Sequence, residues 1–293
     1  MNSYILRLIL SAVVPVLALG LPQATALAET AGNAPVTAVS VTPDTLAKTM
    51  KIAELIAVMR EEGLDYGRSL EDEMFPGRGG PDWQATIGLV YDQTTMLERF
   101  MATFKAEIAG EPAAMAAIQT FFADERGQRI LSLEIEARRA LMDDKIEEAA
   151  KASAQEMMAK NDPRMAALRD FSEANDLIES NVQGALNANL GFYQGMARAG
   201  AFGEDMTEDQ MLSDVWRQEP DIRSETEDWL YPFLALAYGP LSDDDLQAYT
   251  AFSRTPAGQR MNAALFAAFD TVFVQISRDL GRAAALKVIG DDI

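Results

Sequence analysis

Apolar residues recur every three or four positions over most of this chain, the period of an amphipathic helix, and no run alternates with period two for long enough to propose a strand. Thr42 followed by Pro43 reads as an N-cap with proline at the first helical position. Met50, Leu55, Val58 and Met59 then form a stripe that Gly63 is expected to close. The stretch from Phe75 through Gly77, Gly79 and Gly80 to Pro81 is the strongest breaker. From Asp82 to Ile108 one continuous helix is predicted by Ile87, Val90, Tyr91, Leu97, Phe100, Met101 and Phe104. Gly110 ends it and a short helix restarts at Glu111. The same punctuation returns later. A helix spans Trp229 to Tyr238, Gly239 and Pro240 stop it, and Ser242 with Asp245 makes a capping box for a helix carrying Leu246, Tyr249 and Phe252.

Two long faces follow. Met261, Leu265, Phe266, Phe269, Val272, Phe273, Ile276 and Leu280 lie on one, and Ile130, Leu133, Ala137, Leu141 and Ile146 lie less completely on the other. Asn161, Asp162 and Pro163 form a stop and an N-cap, which places a boundary there. The parallel is literal at one point. Phe121, Gly127, Gln128 and Arg129 recur 131 positions later as Phe252, Gly258, Gln259 and Arg260. Asp124 and Thr255, each followed at once by a helix start, are N-caps at equivalent places, with Pro256 at the first helical position of the second copy. The glycines in the first turn permit close approach of a neighbouring backbone, and the Gln-Arg pairs are suited to bond a helix end or a carboxylate. The phrase therefore reads as a structural corner; its rival is an anion site built from free N–H groups and an arginine. The expected fold is all-α, two pseudo-repeated antiparallel helical bundles covering residues 42–161 and 162–293.

The order Phe252, Thr255, Pro256, Gly258, Gln259, Arg260, behind the capped helix at Ser242 to Asp245, resembles the hallmark of an exported bacterial family catalogued as domain of unknown function number two-zero-five-nine. The match runs from Leu241 to Leu280, with a degenerate copy in the first half, where Glu125 stands at the place of Pro256. The resemblance implies a small helical domain with a signal peptide, and it transfers no catalytic residue.

Composition adds address. Met1 to Ala28 has Arg7 as its only charge, an apolar run from Leu8 to Leu21 and a small-x-small site at Ala26 to Ala28. These are the parts of a cleavable signal, followed by a flexible leader at 29–41 rich in Ala, Thr, Gly and Pro. The expected location is the periplasm, with no later membrane span. A net charge of -20 opposes binding to nucleic acid. With no histidine and no cysteine, Ser-His and Cys-His nucleophiles, disulfides and the usual zinc sites are excluded. No cofactor loop is found, so none is expected.

The remaining chemistry lies with carboxylates, methionines and aromatics. Most acidic pairs, such as Asp143 with Asp144 and Asp243 to Asp245, read as caps or solvated faces. Glu179, followed by Ser180, resembles the catalytic glutamate setting of helical peptidoglycan lyases and muramidases, although the Gly-Leu-Met-Gln segment of those enzymes is absent. Met157, Met158 and Met165 are the closest set of soft ligands, with core filling as the alternative. Trp229, Tyr231, Phe233 and Tyr238 line a groove in one reading and fill a core in the other. Together these observations lead to a non-enzymatic binding or scaffolding protein with an envelope partner. The alternatives are a glycan-cleaving enzyme using Glu179 and a carrier of an apolar ligand.

Overall fold

The computed structural model describes residues 41–202 and 206–290; the expected signal and nearly all of the leader lie outside them. The described residues are all-α and contain no strand. The first half contains α1 (Pro43–Thr49), α2 (Ile52–Met74), α3 (Gly80–Val90), α4 (Gln93–Ile108), α5 (Pro112–Ala123), α6 (Glu125–Ala140) and α7 (Asp144–Ala159). The second contains α8 (Pro163–Ala174), α9 (Leu177–Arg198), α10 (Glu208–Trp216), α11 (Glu219–Tyr238), α12 (Asp243–Ser253) and α13 (Pro256–Gly290).

Several stops follow from capping. Thr42 Oγ1 accepts from Thr45 N at 3.1 Å, Asp162 accepts from Arg164 N at 2.8 Å, and Ser242 Oγ accepts from Asp245 N at 3.1 Å. Each satisfies an N–H that the first helical turn leaves open. Three predicted spans differ. The helix through Gly63 continues to Met74, because a Cβ at 63 would lie 2.6 Å from Tyr91 Cγ; the glycine there makes room for a ring and ends nothing. The helix expected from Asp82 to Ile108 is two helices, since Asp92 accepts from Thr95 N at 2.9 Å and starts α4 afresh. The face from Ile130 to Ile146 breaks after Ala140 because Asp143 caps α7, which leaves Ile146 exposed.

One apolar cluster runs from Leu46 on α1 to Ala285 on α13, so residues of both halves share a core. A smaller cluster of Val182, Ala185, Leu186, Val215 and Ile222 joins α9 to α10 and α11. The 35-residue α13, about 50 Å long at 1.5 Å per residue, is the spine. It runs antiparallel to α4, where Phe100 meets Phe269 and Thr103 meets Thr271, while Arg99 reaches Asp279. Its most extensive contact, with α9, is parallel: Asn187 pairs with Asp270 and Gln194 with Arg278. Antiparallel pairing is the expectation for sequence neighbours; α10 to α12 intervene here and return the chain to the same end. Gly191, Gly195 and Gly281 let the two backbones meet. A Cβ at 191 would stand 2.8 Å from Val274 O, and one at 281 would stand 3.0 Å from the Phe192 carbonyl carbon.

Candidate functional site

Each corner has a capping side chain, a glycine in the first helical turn and an arginine that reaches the other half of the chain. At the first, Asp124 accepts from Glu125 N at 2.8 Å; at the second, Thr255 Oγ1 accepts from Gly258 N at 3.1 Å. Gly127 and Gly258 are buried against the end of the preceding helix, where an added Cβ would lie 2.6 Å from Phe122 Cα and 2.9 Å from Ser253 Cα respectively. Gln128 donates to Phe122 O at 2.7 Å, as a corner bond requires. The arginines cross between halves. Arg129 donates to Pro240 O at 2.7 Å, after α11, while Arg260 donates to the Glu107 backbone oxygen near the end of α4. Phe121 and Phe252 stack on one another with centroids 4.1 Å apart and planes at 15°. Each cap thus satisfies one first-turn N–H, and each arginine ties its corner to the other half of the chain.

Glu179 stands in a pocket of about 470 Å³ between the first turns of α9 and the middle of α13. Asp176, Gln183, Asn187 and Asp270 add polar groups, and Phe266 and Phe273 form an apolar side. Arg223 on α11 grips Glu179 with both guanidinium nitrogens, at 2.5 and 2.9 Å, and these bonds hold its carboxyl below the usual range. The arginine thus favours the anionic form of Glu179. Asp270 behaves oppositely, because burial pushes its carboxyl up against the bond from Asn187 Nδ2 at 2.9 Å. Gln183 donates to Asn187 Oδ1 at 3.1 Å and so orients that amide. Burial, then the neighbouring Glu179, raises Asp176, whose backbone is left-handed at φ 47°.

The other readings resolve by burial. Phe233 and Tyr238 are core residues, while Trp229, which stacks on Phe233 at 5.0 Å, and Tyr231 are partly buried and pack against that core. Met165 is buried, and Met157 and Met158 pack against the same core. Among the described residues no set of carboxylates is placed to hold a metal ion, and no helix is long and apolar enough to cross a membrane.

Two buried polar groupings have no signal in the linear sequence. Arg138 on α6 binds Glu62 on α2 at 2.6 and 2.7 Å. Burial pushes the Glu62 carboxyl up to about 7 despite that partner. Glu134, one turn earlier on α6, accepts from Tyr238 at 2.7 Å and from Tyr249 at 3.2 Å. No family model, curated protein or solved structure matches the chain.

Proposed function

We propose that this is an exported binding protein whose ligand site is the pocket between α9 and α13, and that its ligand carries a cationic head and an apolar body. The observation behind this reading is the lining itself: three carboxylates from Asp176, Glu179 and Asp270 face two phenylalanines, and Arg223 engages one of the three. An ammonium gains from the anionic rim, a chain gains from Phe266 and Phe273, and about 470 Å³ suits a small molecule. The chain's net charge of -20 draws cations toward any such site.

Calorimetric titration with octylamine and with octanoate tests the reading. The amine is expected to bind at least tenfold more tightly, with its affinity reduced in Asp270→Asn and abolished in Gly184→Trp, which fills the open wall. Equal affinity for the two probes, or no binding of either, would sink it.

We further infer that the chain arose by duplication of one helical unit, a reading supported by the matching corners and the stacked Phe121 and Phe252. Because α4 packs on α13 while α11 packs on α6 and α7, each half completes the other. Residues 42–161 and 162–290 expressed separately are then expected to lack cooperative unfolding and to regain it on mixing; cooperative unfolding of either alone would refute the exchange.

A further inference from the structure

Glu134 lies on α6 against the end of α11 and the body of α12, and its Oε1 is the acceptor for hydroxyls from both. The turn between those helices is clamped from two sides. Arg164 on α8 donates to Tyr238 O at 2.6 Å and Leu241 O at 2.9 Å, and Arg129 and Arg126 on α6 hold Pro240 O and Asp245. We propose that Glu134, Tyr238 and Tyr249 form a proton-operated latch on the α11–α12 turn, closed while Glu134 holds a proton and loosened when it ionises.

The groups facing Glu134 supply no countercharge. From α11 and α12 come Tyr238 and Tyr249, both pushed well above the ordinary phenol range by burial and so kept as neutral donors. From α8 come Phe171, whose ring meets both tyrosines at 5.0 Å, and Arg164, which is committed to the turn and to Asp243. On α6 itself Arg138 is bound to Glu62 of α2, Arg126 to Asp245 and Arg129 to Pro240 O. Burial accordingly dominates and pushes the Glu134 carboxyl up to about 7, against the pull of the two hydroxyls. An ionised carboxylate here is relieved by admitting water, and the way in is release of the tyrosines and the turn they anchor.

Hydrogen exchange of peptides covering residues 234–250, corrected for intrinsic rates, tests this between pH 5.5 and 8.5. The opening equilibrium in the wild type is expected to rise about tenfold, within a ceiling of roughly 30-fold that the displacement from 4.5 to about 7 allows across this range. Glu134→Gln, which keeps the acceptor oxygen, is expected to give a flat profile. Tyr249→Phe removes one hydroxyl that favours the anion, so its rise should continue to higher pH before levelling off. Parallel profiles for wild type and Glu134→Gln overturn the latch, and if the glutamine variant does not fold, an unshifted Tyr249→Phe profile overturns it. Peptides covering residues 58–70 report separately on Glu62.

Discussion

Replacing Gly195 by alanine measures how closely α9 and α13 approach. The new Cβ would lie 2.9 Å from Arg282 N and closer still to Arg278 O, and both obstacles are backbone, which no rotamer change can move aside. Relief requires the two longest-contacting helices to part around a seam that also includes Gly191 and Gly281. Overpacking of this kind costs about 1–3 kcal/mol. The lost glycine returns up to ~1 kcal/mol of helix propensity. With backbone on both sides the upper end of the cost applies, and a net loss of about 2 kcal/mol is expected. Gly184, on the same helix, is the control, since a Cβ there meets nothing within 4 Å. Gly184→Ala should therefore stabilise by about 0.5–1 kcal/mol. Urea unfolding followed by helical circular dichroism should separate the two variants by nearly 3 kcal/mol at equal m-value. Near 2–4 °C per kcal/mol for a chain of this size, Tm should differ by roughly 6–12 °C. If Gly195→Ala proves as stable as Gly184→Ala, the parallel close packing is wrong.

Arg138→Met should cost about 3–5 kcal/mol at pH 8, because it leaves Glu62 buried without its cation. A raised carboxyl favours the fold below its unfolded value and loses that advantage as pH rises through its folded value, here about 7, so urea midpoints at pH 5 should show a smaller deficit. Octylamine affinity should fall between pH 7 and acidic pH as the raised Asp270 takes up a proton, while Glu179, held low by Arg223, stays ionised; a pH-independent affinity in calorimetry would contradict the role of Asp270. Thr255→Ala removes the cap on Gly258 N and should lower stability by about 1 kcal/mol, with Thr255→Asp restoring it in the same unfolding assay.

Helix class, stops and corners were legible because each rests on residues within a turn or two of one another. Ser242 and Asp245, Asp162 and Arg164, and Thr255 and Gly258 make their bonds locally, so their spacing predicts them. Gly63 and the helix from Asp82 to Ile108 were misread for the opposite reason. The glycine answers to Tyr91 across the fold, and Asp92 gained its cap inside a stripe whose period ran on unbroken. Glu179 stood out by its neighbours in sequence, yet its state is decided by Arg223, 44 positions away, and its pocket is completed by Asp270 on another helix. Glu134 carried no signal at all, since nothing in a helical stripe announces which carboxylate two distant tyrosines will enclose. Local hydrogen bonding and hydrophobic period thus lie in the sequence itself. The pairing of α9 with α13, the crossing of the arginines between halves and the titration of buried carboxyls were decided only by tertiary structure, because burial and charge at a point depend on whatever the rest of the chain brings there.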